Sequence, residues 1–121
     1  MTRMNGKTNP RLLTLITRLK ETSRKNEVGI WRDIADRLEA PSRNYAEVNI
    51  SKISRYARPG ETFIVPGKVL GTGVISHPVV IAALNFSSQA AAKIEKAEGT
   101  CLTIEELLKK NPTGNGVRIL R

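Results

Sequence analysis

The stretch TFIVPGKVLGTG, Thr62–Gly73, joins two opposite tendencies. Thr62, Phe63, Ile64 and Val65 are β-branched or aromatic and predict a strand. Gly67, Gly71 and Gly73 around Lys68 predict a loop after it. Such a loop has two uses. Without a Cβ, another backbone can come close and amides can turn toward an anion, while Lys68 adds a mobile charge. Alternatively, the glycines supply positive φ in a plain turn between strands. The residues leave both open. Nucleotide-loop signatures do not decide it, because the spacing of Gly67, Gly71 and Gly73 matches neither G-x-G-x-x-G nor G-x-x-x-x-G-K. NGKT at residues 5–8 copies the end of a phosphate-binding loop but lacks the upstream glycine and any preceding strand.

Downstream, strand and helix signals alternate. VISHPVVIAALNF (Val74–Phe86) predicts a buried strand, mostly after Pro78. Ser87 or Ser88 caps a helix carrying Ala90, Ile94 and Ala97, which Gly99 closes. Cys101-Leu102 starts a short strand. Thr103 with Glu106 matches a capping box and opens another helix, which Asn111-Pro112 stops. Val117–Leu120 is a final strand. Strand, helix, strand, helix, strand predicts a small, at least partly parallel sheet covered by helices.

Upstream, helices dominate. Asn9-Pro10 is a helix start, followed by Leu12, Leu15, Ile16 and Leu19 at helical spacing. Arg11, Arg18 and Lys25 recur every seven residues and share one face. Residues 30–39 form a second amphipathic helix lined by Ile30, Trp31, Ile34, Ala35 and Leu38, with Trp31 in the core; Pro41 ends it. Arg32 with Asp36 and Asp33 with Arg37 are i,i+4 pairs that neutralise one another. Val48 and Ile50 predict an extended entry. Asn49 or Ser51 then caps a short helix on which Lys52 and Arg55 lie three apart, and Pro59-Gly60 ends that helix. Tyr45 and Tyr56 interleave with the basic residues, a composition that pairs with phosphates and stacks on bases. Residues 1–8 are polar and basic and predict a flexible arm ahead of a single domain over 9–121.

Charge narrows the partner. The net charge is +9 and the isoelectric point about 10.2, which on 121 residues points first to nucleic acid and second to an anionic membrane surface. No segment approaches the roughly 18 consecutive apolar residues of a membrane-spanning helix. Residues 1–58 hold 13 Lys/Arg against 6 Asp/Glu, a net of +7, and the remainder only +2. The first half therefore reads as the binding half and the second as scaffold. Aromatic residues make up only 4% of the chain, so the core must come from Leu, Ile, Val and Ala.

Enzyme chemistry finds little material. Cys101 and His77 are the sole cysteine and histidine, too few for a zinc site or a disulfide, and His77, the one available triad base, precedes Pro78 in an expected turn and reads as a polar surface residue. Glu105 and Glu106 fall in a helix's first turn, where negative charge complements the helix dipole. No secretory signal is visible at the start, and one cysteine suits a reducing, cytoplasmic setting.

Four stretches together carry a resemblance: NPRL (Asn9–Leu12), DIADRLEAPSRNYAEVNISKISRYA (Asp33–Ala57), VPGKVLGTGV (Val65–Val74) and NPTGNGVRILR (Asn111–Arg121). In this order they resemble the archaeal and eukaryotic large-subunit ribosomal protein L eighteen e family, most specifically over Leu38–Ile53. The family is related in fold to ribosomal protein L fifteen. The resemblance implies an α/β domain with a helical basic N-terminal half, an alternating strand and helix C-terminal half, and an irregular superhelical arrangement. It implies a non-enzymatic constituent of the cytoplasmic large ribosomal subunit that binds ribosomal RNA beside neighbouring ribosomal proteins. No cofactor, membrane or small-molecule substrate is implied. Family motif positions Arg43, Asn44, Asn49, Lys52, Arg55 and Lys68 become the expected RNA contacts. Lys7, Arg11 and Arg121 join them on charge and placement. The competing classes are a free-standing basic DNA- or RNA-binding regulator and, further off, a nucleotide-binding enzyme using Gly67–Gly73.

Overall fold

A computed structural model describes residues 9–58 and 61–121. Its organising element is the strand β2, Thr62–Leu70, which runs straight through the proline and first glycine of the opening stretch. The expected loop from Gly67 is therefore a correction: Gly67, Lys68, Val69 and Leu70 are strand, and only Gly71–Gly73 is loop.

Two local devices let β2 continue. Between Val65 and Lys68 it advances three residues while its neighbour β3, Val80–Phe86, advances two, from Ala83 to Asn85. Pro66 sits in that bulge, where a missing N–H costs no ladder bond. Gly67 pairs with Ala46 of β1, Ala46–Asn49, whose backbone passes where a side chain would stand. The glycine thus serves the close approach of another backbone, that of its own sheet.

Around β2 all pairing is parallel. On one side lies β3, followed by β4, Thr100–Thr103. On the other, β5 (Val117–Ile119) pairs with Thr62–Ile64, and β1 pairs with Gly67–Leu70. Two short strands thus share one flank of β2 end to end, changing over at the bulge.

Helices cover both faces, as a parallel sheet requires. Alternation along β2 sends Phe63 and Val65 into one core with Val48, Ile81 and Ala83. That core is closed by α3 (Ile50–Tyr56) and α4 (Ser88–Lys96). Ile64 and Ala82 face the other core, closed by α1 (Pro10–Asn26), α2 (Gly29–Glu39) and α5 (Ile104–Lys110). The buried hydrophobic side chains are aliphatic except Trp31 and Phe63, as the composition requires. Trp31 is fully buried, and its indole N–H donates to the Pro112 carbonyl at 2.7 Å.

Local caps place the helices. Asn9 accepts from the amides of Arg11 and Leu12, Ser87 from Ala90, and Thr103 and Glu106 close a capping box. One expected stop changes. Behind α4 the left-handed residue is Glu98, φ 65°, not Gly99. Gly99 is glycine because a Cβ there would stand 2.6 Å from the Val79 carbonyl oxygen. The arm over 1–8 and the Pro59-Gly60 stop lie outside the described residues.

Candidate nucleic-acid interface

Where β1 meets β2 the helical cover stops short, leaving an open groove of about 710 Å³. Its floor is a polar row across three strands: Glu47, Lys68 and Asn85 hold matching register positions on β1, β2 and β3, and all three are exposed. Half-buried Leu12, Pro41, Tyr45 and Leu84 supply apolar walls. The Tyr45 hydroxyl donates to the Leu38 carbonyl at 2.6 Å, which fixes its ring between α2 and the groove.

Arg11, at the start of α1, forms another wall. Its guanidinium lies 2.7 Å from the Glu105 carboxylate and donates at 3.1 Å to the Leu84 carbonyl. The Glu105 hydrogen bond raises the Arg11 pKa, against the cost of partial burial. For Glu105, partial burial pushes the carboxyl up, but hydrogen bonds from Arg11 and its own amide and the charges of Arg11 and Arg18 outweigh this. The net shift is downward. Arg11 and Glu105 thus largely neutralise one another.

Arg43 and Lys68 differ. Both are exposed, and neither side chain forms an ion pair or hydrogen bond with the described residues. Arg43 stands on a single 3-10 turn, Ser42–Asn44, made where Pro41 stops α2 and the chain bends into β1. The bulge and Gly67 set Lys68 on the floor of the same groove. The two cations come from the two halves of the sequence, so the groove draws on both.

The other expected contacts divide. Asn44 and Arg121 line a smaller recess of about 180 Å³ with Arg37 and Pro66, which shares Ala46 with the groove. The Lys52 ammonium donates to the Arg121 backbone carbonyl, so these two adjoin. Arg55 is exposed and lies 5.8 Å from the Tyr56 ring centre, away from both recesses. Asn49 occupies the position before α3, but its side chain makes no capping hydrogen bond. Lys7 lies outside the described residues.

The loop Gly71–Gly73 is not a phosphate cradle. Its carbonyls at Gly71 and Gly73 accept from the Lys93 ammonium at 2.7 and 2.6 Å, and the Thr72 carbonyl accepts from the Ser51 amide. The loop presents oxygens to a cation of its own chain, which is the wrong polarity for an anion site. His77 is a structural side chain: its Nε2 is 3.1 Å from the Ala57 carbonyl. Among the described residues no group of three His, Cys, Asp or Glu is placed to hold a metal ion. Sequence reasoning missed Asn85 and Glu47 as groove residues, since only strand register brings them beside Lys68, whereas Tyr45 already stands out by its place among the basic residues.

The whole chain, residues 1–121, matches the family model described as "Ribosomal protein 60S L18 and 50S L18e". It is 68% identical to the protein named large ribosomal subunit protein eL18 of Methanoregula boonei, over the full length of both. Two more distant proteins of the same name are similar throughout. The one from Archaeoglobus fulgidus is 56% identical over 94% of this chain and 97% of its own. The one from Halobacterium salinarum is 50% identical over 96% and 99%.

Proposed function

This chain belongs to the ribosomal protein 60S L18 and 50S L18e family, and from that premise we propose that it is a structural, non-enzymatic constituent of the large ribosomal subunit in the cytoplasm, holding ribosomal RNA beside neighbouring ribosomal proteins. The observation that carries the RNA contact is the pair Arg43 and Lys68. Both are exposed cations without a partner among the described residues, and they face one groove in a chain of net charge +9. A protein's own acids neutralise cations whose role is internal, as Glu105 does for Arg11 and Asp36 for Arg32. Cations left over on one face serve an outside polyanion.

Phosphate contacts supply most of the affinity, with Arg forking onto phosphate and Lys acting as a point charge. Arg43, Lys68 and Asn44 form the centre of the contact face, with Lys52, Arg55, Arg121 and Asn49 around it. Arg11 contributes as a positioned wall, and Lys7 as a further cation. Recognition rests mainly on the shape and backbone of the folded RNA.

Sedimentation tests this reading. The chain travels with the large subunit through a moderate-salt gradient. If it stays at the top of the gradient while binding duplex DNA equally well, it is a free-standing nucleic-acid binder and not a subunit constituent.

A further inference from the structure

Resting on that RNA-binding reading, we propose that the groove beside β1 admits one unstacked nucleotide of the bound RNA, its base between the apolar walls and its phosphate on Arg43 and Lys68. The groove's chemistry exceeds what a phosphate track needs. A volume of about 710 Å³ falls inside the roughly 300–1,000 Å³ typical of sites for small organic ligands. A duplex backbone passing over the surface uses only the cations at the rim, because its base faces are stacked out of reach. Leu12 and Leu84 would then be half-exposed to no purpose. An extruded base has two free faces and covers them.

The floor argues the same way. Glu47 stands in register with Lys68, yet no ion pair joins them. A carboxylate lying along a phosphate track repels it. The same carboxylate suits an exocyclic amino group or a ribose hydroxyl, both of which donate. Asn85, on the far side of Lys68, is exposed, and its side-chain amide has no hydrogen-bond partner among the described residues. It both donates and accepts, as a base edge requires. An acceptor, a cation and an amide in one row, in a groove that apolar walls and Arg43 also line, complement a nucleotide's sugar, phosphate and base together. Arg11 stays a wall, because its guanidinium is already held by Glu105 and Leu84.

The test is an NMR titration of the full chain with a nucleoside 3′,5′-bisphosphate, and separately with inorganic phosphate. The bisphosphate moves the amide resonances of Leu12, Tyr45, Lys68 and Asn85 saturably, whereas inorganic phosphate moves only Arg43 and Lys68. Lys68→Ala and Arg43→Ala each weaken bisphosphate binding by about tenfold, with unchanged far-ultraviolet circular dichroism. Asn85→Ala, which removes no charge, weakens bisphosphate binding and leaves phosphate binding alone. Equal responses to bisphosphate and phosphate overturn the proposal in favour of a bare anion site. So does a silent groove in a chain that still retains large-subunit ribosomal RNA on a filter; that result leaves the RNA-binding reading standing. Failure to retain that RNA at all overturns both.

Discussion

A Cβ on Gly67 would stand 2.8 Å from the carbonyl carbon of Ala46, its register partner on β1, and closer still to the carbonyl oxygen. Both atoms belong to backbone, so no rotamer change relieves the overlap. Gly67→Ala must push β1 off β2 or force β2 out of line, and either loses ladder bonds and core contacts of Val48 and Val69. Overpacking against fixed backbone costs about 3 kcal/mol or more. The expected result is a melting temperature lower by more than about 10 °C. Gly116→Ala is the control. Nothing lies within 4 Å of a Cβ there, and only its φ of 76° resists, a cost of about 1 kcal/mol. Equal melting temperatures for the two variants would show that β1 is not seated as described.

Arg11 and Glu105 make a second measurable claim. The Glu105 carboxyl is held below its ordinary range by Arg11 despite partial burial. Glu61 is held low first by the Arg58 amide, 2.7 Å away, with help from Arg118. A carboxyl whose folded pKa is depressed stabilises the fold at pH values above its unfolded pKa, and loses that contribution as pH falls through the folded pKa. Stability is therefore flat near neutrality and declines below about pH 4.5. Glu105→Gln lowers stability at pH 7 by about 0.5 kcal/mol, because the pair is partly solvated. Its stability curve is flatter than wild type between about pH 5 and pH 3. Urea unfolding at a series of pH values reads both effects. An identical acid limb in the variant would remove Glu105 from the account.

How much of this was legible in the residues depends on distance along the chain. Asn9, Ser87 and the Thr103–Glu106 box act within three residues, so composition alone located the starts of α1, α4 and α5. Trp31 belonged to the core because its helix has one apolar stripe. Pro66-Gly67 misled, since the same pair that normally punctuates a strand is here a bulge and a point of strand contact. Gly99 misled in the same manner: its reason is Val79, twenty residues away, not its own φ. Arg11 was one of a basic stripe with Arg18 and Lys25 until the fold set Glu105, 94 residues on, against it. The groove itself was invisible for the same cause. Glu47, Lys68 and Asn85 are adjacent only through strand register, and no local signal encodes register between parallel strands joined by crossovers.

Cys101 is expected to be slow toward thiol reagents. Partial burial, first, and the Glu95 charge, second, push its thiol up to about 11. Since the thiolate is the reacting species, its population at pH 8 falls about a hundredfold below that of a thiol with the ordinary value. Modification of the native chain should be at least that much slower than in denaturant, where burial and the Glu95 proximity vanish together. A native rate within tenfold of the unfolded one would mean that β4 and α4 do not shield the sulfur.

The RNA face can be dissected by charge. Arg43 and Lys68 have no partner among the described residues, so replacing each by Ala leaves stability within about 0.5 kcal/mol while removing a free cation. Each loss lowers the slope of log affinity against log salt by about 1, the signature of one phosphate contact. Lys52→Ala behaves differently, because its ammonium is already spent on the Arg121 carbonyl. It frees the last residues beside the smaller recess, and its effect on RNA combines a lost charge with a loosened Arg121. Arg55, exposed beside Tyr56, is the cleaner member of that helix. The double variant Lys52→Ala/Arg55→Ala weakens binding and flattens the salt dependence with little change in melting temperature. Filter binding of large-subunit ribosomal RNA at several salt concentrations separates these cases. Unchanged binding with a lowered melting temperature in the double variant would make α3 a structural helix and confine the RNA contact to the groove.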